Sequence, residues 1–138
     1  MENSPPSPRS DTGIFADLAT LTPNPGIVNF EPIIAFWSDY ASKRRWFCIP
    51  NLIDTVAYAT DANWTFPTGM KWIKHFDLEK IRGNPATKKR IETRVLVKTS
   101  NDVYGVSYQW NDTQTEAYLA PDGGMASDAF AVMREGMK

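Results

Sequence analysis

A group of charged side chains in two short segments is the part of this sequence best suited to chemistry. Asp39, Lys43 and Arg44 form one half of the group, and Glu92 and Arg94 form the other. A carboxylate beside guanidinium groups can form a bidentate, charge-assisted pair. We interpret the group as solvated cross-strand charges or as a buried ion-pair network, and the alternative is a binding site for an anion or for sugar hydroxyls.

The aromatic residues offer a second chemistry, because five tryptophans are many for a chain of 138 residues. Exposed Trp and Tyr rings on a sheet can stack on sugar rings, although the same side chains commonly fill β-sheet cores. Core packing is our preferred interpretation, and a carbohydrate platform is the alternative. The charged and aromatic groups together supply the candidate ligand-binding residues, which are Trp37, Asp39, Lys43, Arg44, Glu92, Arg94, Trp110 and Asn111.

The residue types that most often carry catalysis or hold metals are scarce. His75 is the single histidine and Cys48 the single cysteine, so they cannot form a zinc site by themselves and no intramolecular disulfide can form. The sequence has no G-x-S-x-G elbow, no nucleotide-binding glycine motif and no Cys-x-x-Cys-His motif for attaching haem. We therefore assign no catalytic residue, no metal and no cofactor, and we do not expect this domain alone to be an enzyme.

Two local features have both a structural and a functional interpretation. His75 lies within a predicted strand, where we expect it at the surface or half-buried rather than in a catalytic role. Residues 111–116 (NDTQTE) are rich in oxygen ligands, but they lack the spacing and the glycine of an EF-hand loop. We interpret them as a turn with capping side chains, and a calcium site is the alternative.

Composition and charge exclude several classes of protein. The sequence has 15 Lys and Arg against 16 Asp and Glu, so electrostatics give no reason to expect nucleic acid or an anionic membrane surface as partner. No apolar run approaches the roughly 18 residues that a membrane-spanning helix needs, and residues 1–11 lack the apolar stretch of a signal peptide. A hydrophobic content of 42% fits one domain with a packed core.

Short stretches of alternating and β-branched residues dominate the chain from residue 45 onward. They predict strands at residues 45–50, 56–59, 70–77, 90–98, 103–110 and 115–119. Residues 90–98 and 103–110 form the clearest hairpin, and residues 78–89 predict a polar loop. Prolines 23, 25 and 32 exclude a continuous helix in residues 14–36, so we expect an extended segment that packs onto the domain.

These elements predict a mainly β fold. Short strands without βαβ alternation indicate an antiparallel β-sandwich of the jelly-roll kind, or a barrel, with about six to eight strands. We expect residues 1–12 to be a disordered linker or tag remnant, residues 13–121 to form a single β domain, and residues 122–138 to be a tail or a weak, short C-terminal helix.

Several segments, taken in order, are similar to a domain that recurs in large exported bacterial proteins. They are residues 25–28 (PGIV), 36–41 (FWSDYA), 43–46 (KRRW), 49–50 (IP), 64–69 (WTFPTG), 74–76 (KHF), 91–97 (IETRVLV), 108–111 (YQWN) and 115–117 (TEA). In such proteins the domain often sits beside a PQQ-dependent glucose/sorbosone dehydrogenase-like propeller and just before a cytochrome c segment. The resemblance covers roughly residues 20–119.

The resemblance implies an accessory or interaction domain of an exported redox protein of the sugar or alcohol dehydrogenase/cytochrome c type. Such a protein would be periplasmic or extracellular, and its propeller and haem segment would hold the cofactors. Neighbouring redox domains or a sugar or polysaccharide would then be the partners of this chain, and no catalytic residue is carried over. The alternative is a carbohydrate-binding module with exposed Trp and Tyr side chains. A cofactor-free enzyme with Glu92 or Asp39 as the base is the least favoured hypothesis.

Overall fold

The computed structural model describes residues 9–121, which form a mainly β fold of two antiparallel sheets. The larger sheet consists of β3 (Ile27–Asn29), β4 (Ser42–Cys48), β5 (Lys71–Glu79), β6 (Lys88–Lys98), β7 (Val103–Trp110) and β8 (Ala117–Leu119), which lie side by side in sequence order. The smaller sheet is the hairpin of β1 (Phe15–Asp17) and β2 (Thr22–Pro23), and short 3-10 turns occupy Arg9–Thr12 and Pro85–Thr87. The prediction of a mainly β, antiparallel fold is confirmed, and within the described range the larger sheet stays open instead of closing into a barrel.

The side-chain alternation of the strands gives the larger sheet two different faces. On the first face Trp46 on β4 lies opposite Ile73 on β5, and Ile73 lies opposite Val95 on β6. These side chains are buried together with Tyr108 on β7. Burying a large apolar side chain stabilises a fold by about 1.5–3 kcal/mol, so this face is the main core of the domain.

The β1–β2 hairpin covers the first face and makes the second layer of the sandwich-like fold. Ile14, Phe15 and Leu21 are buried in the same cluster as the core strands. The Phe15 ring meets Trp46 edge to face, with 5.1 Å between the ring centroids. The expectation that the proline-rich N-terminal segment packs onto the domain therefore holds for the hairpin.

Several predicted boundaries differ from the observed ones. The predicted loop at residues 78–89 is shorter, because pairing of β5 with β6 resumes after a bulge at Phe76/Asp77 and continues to Glu79 opposite Lys88. Residues 56–59 do not form a strand, because only Ala57 finds a partner, in a single bridge to Thr65. Residues 9–12, predicted as linker, form a 3-10 turn.

The remaining predictions for the termini concern residues 1–8 and 122–138, which lie outside the described residues. The predicted tail or C-terminal helix belongs to this part of the chain. Within residues 9–121, no helix has the length and apolar character needed to cross a membrane.

Candidate functional site

A chain of hydrogen bonds runs through the interior on the first face of the sheet. His75 on β5 lies between two partners, with Nδ1 2.8 Å from Thr93 Oγ1 and Nε2 2.9 Å from Asp77 Oδ1. Trp110 on β7 donates its indole N–H to the same Thr93 Oγ1 over 3.1 Å. Because His75 and Thr93 are direct partners across β5 and β6, the sheet register itself brings the ring and the hydroxyl together.

When the imidazole is neutral, the hydrogen bonds of this series all run in one direction, from Trp110 through Thr93 and His75 to Asp77. An ionised carboxylate only accepts, so His75 Nε2 carries the proton that bonds Asp77. His75 Nδ1 is then an acceptor, to which the Thr93 hydroxyl donates while its oxygen accepts from Trp110. A buried polar network whose members satisfy one another in this way specifies one arrangement of the core.

The Asp77 carboxylate connects this chain to the edge of the core. Burial raises the pKa of Asp77, but the hydrogen bond from His75, together with electrostatic attraction from His75, Arg44 and Lys88, outweighs burial and leaves the pKa below its ordinary value. Arg44 Nη2 lies 3.5 Å from Asp77 Oδ2, and the Arg44 side chain is partly exposed. The carboxylate is therefore held in its charged form between a buried imidazole and a partly exposed guanidinium.

Arg90 contacts both the β1–β2 hairpin and Trp110 of the buried hydrogen-bond series. It donates hydrogen bonds to the carbonyl oxygens of Leu18 and Ala19, and its guanidinium carbon lies 4.7 Å from the centre of the Trp110 ring. Burial lowers the pKa of Arg90. An open polar cleft beside Asp77 is lined by Ala19, Ser42, Arg44, Asp77, Lys88, Arg90 and Gln114.

Thr93, His75 and Asp77 have the residue types of a nucleophile, a base and an orienting acid. A nucleophile must touch its substrate, yet Thr93 and His75 are both 0% exposed. The expectation of a surface or half-buried His75 is wrong, because the ring fills the core and meets Trp110 edge to face, with centroids 5.7 Å apart. We interpret this series of buried hydrogen bonds as a structural element that fixes the register of β5 and β6.

The second face of the sheet carries a row of positive charge. Arg45 on β4 lies directly opposite Lys74 on β5, and Lys74 lies directly opposite Arg94 on β6. Lys43 is two residues from Arg45 on the same face and donates a hydrogen bond to the Phe36 carbonyl oxygen. We call Arg45, Lys74 and Arg94 the cationic row.

One carboxylate partly compensates the cationic row. Glu92 forms an ion pair with Arg94, which lies two residues further along β6. Burial lowers the pKa of Lys74, and the charges of Arg45, Lys43 and Arg94 lower it further, against a smaller opposing effect of Glu92. The protonated form of Lys74, at the centre of the row, is therefore destabilised.

An open groove of about 640 Å³ begins at the cationic row, and most of its remaining lining is apolar. We call it the basic groove; its lining residues are Phe30, Arg45, Phe66, Trp72, Ile73, Lys74, Arg94, Leu96 and Val103. Phe66 and Trp72 meet edge to face at 5.0 Å. Lys74 and Arg94 each lie 4.9 Å from the centre of the Phe76 ring. Positive charge and aromatic surface thus adjoin on one face of the sheet.

The structure divides the residues predicted from the sequence into separate groups. Lys43, Glu92 and Arg94 share the second face, whereas Arg44 and Trp110 lie on the first face with the buried chain. Trp37 and Asp39 are exposed in the connection between β3 and β4. Asn111 is a capping residue: its Oδ1 accepts from the backbone N–H groups of Thr115 and Glu116, at 3.0 and 3.2 Å.

Comparisons with protein-family models, with curated proteins and with solved structures found no match for this chain. Within residues 9–121, no three His, Cys, Asp or Glu side chains lie close enough together to hold a metal ion.

Sequence reasoning missed two members of the cationic row, Arg45 and Lys74. Both lie in segments predicted as strands, and the alternation at residues 70–77 already places Lys74 with Trp72. The missing information was the register between β4 and β5, because a shift of one residue would place Arg44 opposite Lys74 instead of Arg45.

Proposed function

We propose that this chain is a non-catalytic interaction domain and that it is an accessory part of a larger exported redox protein. The redox context, with dehydrogenase-like and cytochrome c neighbours in the periplasm or outside the cell, comes from the resemblance of roughly residues 20–119. The interaction role has separate support, which is the exposure of large apolar side chains in two long connections.

The first connection, residues 30–41, joins β3 to β4. Its exposed side chains include Ile33, Ile34, Phe36 and Trp37; Ile33 is 105% exposed and Trp37 70%. Connections in compact domains have about 4–6 residues, and longer ones are commonly functional. An apolar run of this kind in water marks an interaction site.

The second connection, residues 49–70, joins β4 to β5 and has the same character. Leu52 is 107% exposed and Ile53 is 89% exposed. Tyr58 and Trp64 are exposed as well and contact each other. A partner that covered these side chains would gain about 25 cal/mol for each Å² of apolar surface removed from water.

The inaccessible hydrogen-bond chain supports the non-catalytic part of the proposal. Thr93 and His75 are enclosed by the core and the hairpin, and their bonds are made within the domain. A general base must come within hydrogen-bond reach of a substrate proton. Glu92, the candidate base, is paired with Arg94.

The carbohydrate alternative has less support from the ring geometry. A stacking platform needs coplanar exposed rings, but the contacting aromatic pairs on the surface are edge to face. Trp37 and Tyr40 make an angle of 87°, and Tyr58 and Trp64 make an angle of 70°. Such pairs present ring edges in different directions instead of one flat surface.

Hydrogen–deuterium exchange tests the interaction role. The chain is measured alone and mixed with purified dehydrogenase-like and cytochrome c domains of the redox protein to which the proposal assigns it, and residues 31–40 and 51–66 should exchange more slowly in the mixture. A double variant, Phe36→Ser with Trp37→Ser, should bind that protein at least about tenfold more weakly with an unchanged melting temperature. Tyr118→Ser, at an exposed aromatic residue on β8, is the matched control.

Two outcomes would contradict the proposal. The first is exchange in both connections that the redox protein does not change. The second is faster exchange in the two connections after deletion of residues 122–138, whose apolar residues include Met125, Phe130 and Val132. That result would mean that this segment of the same chain, and not a partner, covers the connections. Saturable binding to a polysaccharide that is lost in the double variant would favour the carbohydrate alternative instead.

A further inference from the structure

The cationic row is unusual because its members are nearest neighbours across three strands. Arg45, Lys74 and Arg94 occupy directly opposed positions on the second face of the sheet. Like charges directly opposite each other destabilise a sheet. A negative charge beside the row would relieve this repulsion.

The domain itself supplies part of that compensation. Glu92 is the carboxylate paired with the row, and it contacts Arg94 at one end. Lys98, also on β6, lies further along and donates to the carbonyl oxygens of Thr99 and Asp102. Arg45 and Lys74 are therefore the members of the row best placed to receive an anion from outside.

The surroundings of the row define the rest of the ligand. Trp72, Phe66 and Leu96 continue the basic groove away from the cations, and most of the surface there is apolar. A groove of about 640 Å³ lies within the range of about 300–1,000 Å³ that small-molecule sites occupy. A bare inorganic anion would leave the apolar part of the groove unfilled.

We propose that the basic groove binds a small organic anion, with a carboxylate or phosphate group on the cationic row and a flat or apolar body against Trp72 and Leu96. Guanidinium groups match both kinds of anionic group with paired hydrogen bonds, and an ammonium adds a point charge between them. Burial lowers the pKa of Lys74 and the neighbouring cations lower it further, and an anion on the row would oppose both effects. The groove shares Phe30 and Phe66 with the two exposed connections, but the cationic row lies on β4, β5 and β6.

Binding is measured by isothermal titration calorimetry, because the chain has five tryptophans and its fluorescence would not report the groove residue Trp72 alone. The full chain is titrated with 2-naphthoate and with 2-naphthyl phosphate as the two anionic probes, and with 2-naphthalenemethanol as the uncharged control. Saturable binding of either anion at about 1 mM or below, with binding of the alcohol at least about tenfold weaker, supports the proposal. The tighter anion tells which anionic group the site prefers.

Variants separate an anion site from a general apolar groove. Lys74→Gln and Arg45→Gln should each weaken binding of the tighter probe about tenfold to a hundredfold, because a charge-assisted hydrogen bond is removed. Lys71→Gln, three residues earlier on β5 and on the first face opposite Cys48 and Val97, should bind as the original chain does. Lys74→Gln should also melt at a higher temperature without ligand, because it relieves repulsion in the row.

The proposal is overturned by any of four results. The anions fail to saturate at millimolar concentration, the uncharged alcohol binds as tightly as they do, or Lys74→Gln and Arg45→Gln keep full affinity while folded. A lower melting temperature for Lys74→Gln would equally contradict it, since that result assigns the lysine a structural role.

Discussion

Replacing Thr93 tests whether the buried hydrogen-bond chain stabilises the fold. Thr93→Val keeps the volume and the β-branched shape but removes the hydroxyl that bonds both His75 and Trp110. Each buried hydrogen bond contributes about 1 kcal/mol, and leaving polar groups without their partner costs up to about 3 kcal/mol for each group. We expect the free energy of unfolding to fall by about 2–4 kcal/mol, a large part of the roughly 5–15 kcal/mol that holds a domain together.

Thr93→Ser is the matched control, because it keeps the hydroxyl and removes only the methyl group. Losing one buried methyl group costs about 1 kcal/mol. Serine is also the poorer strand former of the two replacements. Packing and strand propensity therefore favour the valine variant, whereas the hydrogen-bond chain favours the serine variant, so the two explanations predict opposite orders of stability.

Urea denaturation followed by tryptophan fluorescence measures both variants against the original chain. The midpoint should be lowest for Thr93→Val, and the slope of the free energy with urea should not change if only stability has changed. A valine variant at least as stable as the serine variant would refute the view that Thr93, His75 and Trp110 form a stabilising network.

Three further predictions use other parts of the domain. The folded pKa of Asp77 lies below the ordinary value of an aspartic acid, so its stabilisation is full above the unfolded pKa and is lost as pH falls through the folded pKa. The difference in unfolding free energy between about pH 6 and about pH 3 should therefore be smaller in Asp77→Asn. Gly69→Ala should lower the melting temperature by destabilising the fold by about 1–2 kcal/mol, because Gly69 has φ +89° and a Cβ there would lie 3.3 Å from Pro50. Gly105→Ala should destabilise the fold less, because its Cβ would meet only the flexible end of the Leu96 side chain. Raising salt from about 0.1 M to about 1 M should increase the melting temperature more in the original chain than in Lys74→Gln, because screening relieves the cationic row; equal salt responses would contradict that explanation.

The fold was predictable where the alternation of side chains is strong. In residues 90–98 and 103–110 apolar and polar positions alternate except at Leu96 and Val103, which are exposed, and both segments lie in strands. In residues 56–59 apolar residues also occur, but strand formation requires a neighbour to pair with, and a short segment carries no signal of whether one exists.

The burial of apolar residues in the long connections was not predictable from the sequence. Residues 33–36 look like core residues by composition, and the sequence placed them in a segment that packs onto the domain. In the fold Phe15 is buried, whereas Ile33 and Phe36 are exposed. Hydrophobicity indicates that a side chain gains from leaving water, but it does not say whether the same chain or a partner covers it.

The candidate site was predictable in part for a related reason. The sequence predicts that Glu92 and Arg94 share a face, because they lie two residues apart within one strand. His75 and Thr93, like Lys74 and Arg94, come together only through the pairing of β5 with β6. Such pairs depend on register across a connection, which alternation within each strand leaves open.

The buried chain and the cationic row are two consequences of one register. His75 pairs with Thr93 on the first face, and the next pair along the same strands is Lys74 with Arg94 on the second face. A slip of one residue would move every side chain to the opposite face, so a hydrogen bond between His75 and Thr93 also holds Lys74 opposite Arg94. The hydrogen bonds in the core thereby offset repulsion on the surface, and the two faces respond differently to change. Loss of the Thr93 hydroxyl should weaken both stability and anion binding, whereas loss of the Lys74 charge should weaken binding and strengthen the fold.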